Sequence, residues 1–140
     1  MGMIQETTTV AAPPQRVWEA VVDFEARPRW EPRVKEASIL GGGPLQEGSR
    51  IRLKVDRDKF TSTVIAMEPP ASLVLLVKGP GFRVTHSYEL HPEGTSTRLV
   101  MAGDYQGIIG RLVGRFMRKS VRRDLSDELA AIKRAVEASS

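Results

Sequence analysis

The chain has 140 residues, 41% hydrophobic and 27% charged, with a formal net charge of +4 and no cysteine. That composition predicts a single folded domain over residues 1–140, long enough to bury a real core, and argues against disorder. No apolar run is long enough to span a membrane, and without cysteine there are no disulfides, thiol nucleophiles or thiolate metal sites.

Residues 3–10 are rich in β-branched side chains and read as a strand. Pro13 and Pro14 then stop the ladder, because proline has no N–H to donate, and they suit the first turn of a helix. Val17, Trp18, Val21, Val22 and Phe24 follow at helical spacing, so a first helix is expected to end near Ala26. Pro28 and Pro32 leave room for only a short second turn of helix, with Trp30 as its large apolar anchor. The start of the chain lacks the basic and apolar regions of a signal peptide, so a cytoplasmic location is expected.

Strand patterns fill the middle. Residues 33–40 lead into the flexible Gly41, Gly42, Gly43 and Pro44. Residues 49–55 alternate, with Ile51, Leu53 and Val55 on one face and Arg50, Arg52 and Lys54 on the other, as in a half-buried antiparallel strand. After a polar turn at 56–59, Phe60, Ser62, Val64 and Ala66 continue the inner face. Residues 73–77 form a continuous apolar run, the mark of a central strand. Phe82, Val84, His86, Tyr88 and Leu90 alternate with Arg83, Thr85, Ser87 and Glu89. A hairpin at His91 to Gly94 returns the chain, with Thr97, Leu99, Met101 and Gly103 inward. Short turns between consecutive strands make this sheet antiparallel.

Residues 111–137 close the chain. Leu112, Val113, Phe116, Met117, Val121, Leu125, Leu129, Ile132 and Val136 recur at spacings that predict one helix with one apolar stripe. At 1.5 Å per residue it spans about 40 Å, enough to cross the whole domain. Strands and helices are segregated, so the class is α+β, with this helix covering the apolar face of the sheet. Gly103 on the sheet, and Gly110 and Gly114 on or beside the helix, leave space. That room is the place for a cavity of about 300 Å³ or more between the sheet and residues 112–121, the alternative being a solid core.

Three stretches carry a resemblance: Val10 to Phe24 followed by Pro28, Arg29, Trp30, Glu31 and Pro32; Glu68, Pro69 and Pro70 ahead of an apolar strand; and Leu90 to Leu99. Together they resemble START-like polyketide cyclase/dehydrase proteins of the SRPBCC superfamily, over essentially the whole chain. The resemblance implies a helix-grip fold: a curved seven-stranded antiparallel sheet wrapped around a long C-terminal helix, with two short helices after the first strand and a ligand cavity between. It implies binding of a lipid, quinone or polyketide-like molecule, or cyclisation and dehydration of an aromatic polyketide, in which pocket side chains position the substrate and shuttle protons.

The expected ligand-binding residues follow from strand and helix parity. From the sheet side they are Leu53, Val55, Phe60, Ser62 and Val64, then Phe82, Val84, His86, Tyr88, Leu99 and Met101, with Trp30, between two prolines, at one end of the cavity. From the helix they are Val113, Phe116, Met117 and Val121. A histidine among apolar neighbours is most often a satisfied core residue. The alternative is that His86 orients a ligand carbonyl or phenol, and in an enzyme His86 and Tyr88 would be the catalytic proton-handling pair. Strand arginines phase outward. Arg111, Arg115, Arg118 and Arg122 make a basic stripe, read either as a solvated helix face or as an anion-binding surface for a membrane, an acidic ligand tail or RNA. Aromatic interleaving is poor there, which weighs against nucleic acid and leaves a toxin-like, ribosome-binding module as the lesser reading. Two histidines and no cysteine predict no metal and no cofactor. The expected assembly is a monomer or homodimer.

Overall fold

Seven strands form one antiparallel sheet in the computed structural model, which describes residues 3–139. They are β1 (Met3–Val10), β2 (Val34–Ile39), β3 (Arg50–Val55), β4 (Asp58–Glu68), β5 (Ser72–Gly79), β6 (Phe82–Glu93) and β7 (Ser96–Gln106). The order is β1-β7-β6-β5-β4-β3-β2, so β2 to β7 run as a meander and β1 pairs with the last strand. Helix α1 (Pro14–Val22) and a 3-10 segment (Phe24–Arg29) carry the chain from one sheet edge to the other. Two C-terminal helices, α2 (Gly107–Phe116) and α3 (Arg118–Ala138), complete the helix-grip arrangement.

Strand register decides which side chains share the concave face. Leu53 lies opposite Phe60, and Ile51 opposite Ser62. His86 sits between Leu75 on one neighbour and Gly103 on the other, and Tyr88 between Leu73 and Met101. The β3–β4 hairpin turns on Asp56 and Arg57, with Asp56 at φ 54°, a left-handed conformation that Asp tolerates. The core between sheet and helices includes Ile4, Val17, Val21, Leu99 and Ile132, all buried. Helix α3 is also tied to β1: Lys133 Nζ donates to the Thr9 carbonyl at 2.6 Å, and Arg122 pairs with Glu6 at 2.8 Å.

The terminal helix differs from its expected form. Residues 111–137 are not one helix. The chain breaks at Met117, whose φ and ψ of −112° and 22° leave the helical region. Helix α2 lies across the end of β6 and β7, where the Ile109 N–H donates to the Gly81 carbonyl at 2.8 Å. A Cβ at Gly107 would stand 2.6 Å from that same carbonyl, so only glycine allows the approach. Gly110 and Gly114 are the buried residues of α2, and a Cβ on Gly110 would already touch Tyr105 and Phe82. Gly107 brings backbones together, and a Cβ at Gly110 would meet ordinary packing, so neither marks a hollow in the core. As a result Leu112, Phe116 and Met117, expected on the inner face, are exposed. A smaller correction concerns His91, expected in a turn: β6 continues through it, and the turn falls at Gly94 and Thr95.

Candidate functional site

A cavity of about 410 Å³ lies between the concave face and α3. It sits deeper along α3 than expected, under Val121 to Arg134 rather than under residues 112–121. Ala130 and Ala131 face it, and their small side chains leave the space that α2's glycines do not. Leu53, Val55, Phe60 and Leu75 form the apolar wall from the sheet, and Val121 and Leu125 the wall from α3. Among the lining residues Pro32, Asp124, Asp127 and Arg134 are exposed. Arg33 ties two elements together beside them: its guanidinium pairs with Asp56 at 2.8 Å and with Asp124 at 2.9 Å.

One part of the cavity is polar. The 3-10 segment turns Arg27 inward until the whole residue is only 2% exposed. Its NH1 bonds Glu31 at 3.1 Å and Glu128 at 2.7 Å, and its NH2 donates to the Val21 carbonyl at 2.9 Å. Its Nε is buried with no partner among the described residues. The rings of Phe24, Trp30 and Tyr88 surround the guanidinium, with centroids 4.5, 5.5 and 5.6 Å from Cζ. Tyr88 donates its hydroxyl proton to the same Glu128 oxygen that Arg27 holds.

One guanidinium thus faces a buried carboxyl, Glu31, and a half-buried one, Glu128, and they divide its charge unequally. Burial raises the pKa of Glu128, but Arg27 and the hydrogen bonds from Tyr88 and Arg27 more than offset this and hold it below the usual range. For Glu31, burial and the like charge of Glu128 outweigh Arg27, and its pKa is pushed up to about 7. Burial and Glu128 push the Tyr88 phenol well above its ordinary value. Burial lowers His86, opposed by Glu128, so its imidazole is held toward the neutral form. Neither His86 ring nitrogen hydrogen-bonds to any described residue. The ring stands edge-on to Tyr105, centroids 6.5 Å apart, on the cavity wall. The arrangement offers a hydrophobic chamber, a neutral imidazole free to bond a guest, and a carboxyl able to gain or lose a proton near neutrality.

A family model described as polyketide cyclase / dehydrase and lipid transport matches residues 1–137. The chain belongs to that family. Solved structures share its fold. A START superfamily protein from Mycobacterium smegmatis is 24% identical, with 99% of each chain covered and a TM-score of 0.76. The Zhui aromatase/cyclase from Streptomyces sp. R1128 is 22% identical over 96% of this chain and 93% of its own, with a TM-score of 0.77. BexL, a di-domain ARO/CYC protein of the BE-7585A biosynthetic pathway, is 20% identical over 98% of this chain and 47% of its own, with a TM-score of 0.79. No curated protein matches the sequence.

Of the residues expected around a ligand in this polyketide cyclase/dehydrase and lipid transport family member, Leu53, Val55, Phe60, Ser62, His86, Tyr88 and Val121 line the cavity. Val64, Val84, Leu99 and Met101 are buried in the sheet's inner layer but do not line it. Trp30, half-buried, stands behind Arg27, and Phe82 and Val113 lie half-buried elsewhere. Phe116 and Met117 are on the surface. Of the basic stripe, Arg122 pairs with Glu6 and Arg118 reaches the Met3 carbonyl at 3.5 Å, while Arg111 and Arg115 stay on α2, across the break. Arg27, Glu31 and Glu128 were not expected in the site. The signals existed: Arg27 and Glu31 are an i, i+4 pair, Arg27 lying three residues from both Phe24 and Trp30, and Glu128 falls three residues after Leu125 and four before Ile132, on the buried stripe.

Proposed function

We propose that this protein binds a hydrophobic small molecule, of lipid, quinone or polyketide type, in the cavity between sheet and α3, with an oxygen-bearing end of the ligand against His86. The observation that carries this reading is a largely apolar chamber whose imidazole has no protein partner among the described residues. His86 is half-buried on the cavity wall, where a ligand carbonyl or phenol can take the place of water at a ring nitrogen. The test is a calorimetric titration with a polycyclic phenol, a quinone and a fatty acid, repeated on His86→Leu. Loss of affinity for the carbonyl or phenolic ligand alone supports the reading. Equal affinity of parent and variant for all three removes His86 from the site.

A second reading is a cyclase or dehydrase of aromatic polyketides. Supporting it is Glu31, a cavity carboxyl with a pKa near 7, positioned with His86 on the wall of one chamber. Tyr88 suits the expected proton-handling role less well, because its proton is committed to Glu128. Proton transfer would then fall to Glu31 and His86, with Tyr88 and Arg27 fixing Glu128. Turnover of a poly-β-ketone substrate that falls with Glu31→Gln while substrate affinity holds would separate this reading from simple binding.

A further inference from the structure

Helix α2 is built the wrong way round for a soluble surface. Its buried positions are Gly110 and Gly114. Its large apolar side chains point to solvent: Ile108 is 79% exposed, Ile109 49%, Leu112 51% and Phe116 72%, with Met117 at the break 51%. Five of the eight exposed large hydrophobic residues among those described fall in this one stretch. At about 100° per residue, Ile108, Ile109, Leu112 and Phe116 occupy an arc of about 100°. Arg111 and Arg115 border that arc, and the Arg115 guanidinium lies 5.4 Å from the Phe116 ring centroid. From residue 105 to 123 there is no acidic side chain, while Arg111, Arg115, Arg118, Lys119, Arg122 and Arg123 all fall within it.

We propose that α2 docks on an anionic lipid bilayer, its apolar face entering the headgroup layer and its bordering arginines pairing with lipid phosphates. An anionic interface is apolar and negatively charged at once, and this face matches both properties. A second copy of the chain matches only the first. Placed face to face on α2 it would set arginine against arginine, which opposes association. The surface lies outside the set of residues that line the cavity, so the proposal stands independently of the cavity's ligand.

Vesicle co-sedimentation tests it, with phosphatidylcholine alone against equimolar phosphatidylcholine and phosphatidylglycerol. The full chain should bind the anionic vesicles, and added salt should weaken binding. Arg111→Ala with Arg115→Ala should weaken it by about fivefold for each cation removed. Leu112→Asp with Phe116→Asp should weaken it by at least about thirtyfold. Both side chains are exposed, so melting temperature should hold and loss of fold is distinguishable from loss of binding. Failure of the folded parent to bind anionic vesicles overturns the proposal. So does equal binding by the aspartate variant, which would place contact on another surface. Self-association abolished by that variant, without vesicle binding, would assign the face to a second copy and likewise overturn it.

Discussion

Glu31→Gln should change how stability depends on pH, and the site geometry sets both sign and size. Arg27 NH1 stands 2.7 Å from Glu128 and 3.1 Å from Glu31, and Glu128 also takes the Tyr88 proton. The guanidinium is therefore spent on Glu128, and Glu31 keeps its proton to about pH 7 against an ordinary 4.5. A carboxyl whose folded pKa lies above its unfolded one stabilises the fold fully below the unfolded value. That contribution is lost as pH rises through the folded value. The window for Glu31 thus runs from 4.5 to about 7, and at about 1.4 kcal/mol per pH unit it amounts to about 3 kcal/mol.

His86 works in the opposite direction. Its lowered pKa means that the unfolded state binds more protons just below 6.5, so its contribution rises with pH toward that value. The parent's total slope is a partial cancellation, and the difference between parent and variant isolates Glu31. Urea unfolding followed by the fluorescence of Trp18 and Trp30, from about pH 4.5 to about pH 8, gives that difference. Relative to parent, Glu31→Gln should gain about 2–3 kcal/mol across the window. Parallel curves, with a change below about 1 kcal/mol, would refute the claim that Glu31 is the carboxyl Arg27 does not fully neutralise.

Arg27→Met should destabilise the fold by up to about 3–5 kcal/mol, because it strands the half-buried Glu128 carboxylate beside buried Glu31. For 140 residues that corresponds to a fall of about 10–17 °C in melting temperature. Adding Glu31→Gln and Glu128→Gln should recover most of it, and a triple variant no better than the single one would refute the ion-pair account. His86→Leu should keep or raise the melting temperature and weaken a carbonyl or phenolic ligand at least about tenfold; stability loss with intact affinity would make His86 structural. Gly103→Leu should push on Tyr105 and His86, whose ring atoms stand 3.0 and 3.5 Å from where its Cβ would lie. Binding of an apolar fluorescent probe should then fall more than stability does, and unchanged binding would place the ligand elsewhere.

The sheet was legible because alternation has one reading when one face is apolar. Ile51, Leu53, Val64, Tyr88, Leu99 and Met101 are all buried where parity put them. The terminal helix was harder, because two rules compete there. Apolar residues suggest the inside, and glycines suggest close approach. At residues 107–117 the glycines win: Gly110 and Gly114 continue the buried face that Val121, Leu125 and Leu129 carry on α3, and Leu112 and Phe116 are turned outward. The polar end of the cavity was missed for a related reason. Arginine and glutamate are assigned to solvent by default, and only the tertiary placement of the 3-10 segment against α3 reveals that Arg27, Glu31 and Glu128 share one site.

That cluster is hard to explain as a stabilising device. A buried guanidinium with an orphaned Nε, and a second carboxylate it cannot fully neutralise, leave polar groups whose loss of water is only partly repaid. Apolar side chains of equal volume often do as well or better at such positions. What the cluster supplies instead is a fixed electrostatic end to an otherwise apolar chamber. Glu128, on the cavity wall, is anchored from two sides, by Arg27 on the 3-10 segment and by Tyr88 on β6. Its charge raises Glu31 and opposes the lowering of His86, two groups that line the cavity. The element order makes this placement available. The chain crosses from β1 to β2 over one end of the sheet, so the 3-10 segment must meet the helix that fills the concave face. A charge on that crossing is delivered to the wall of the chamber, while β3 to β5 remain free to supply its apolar side.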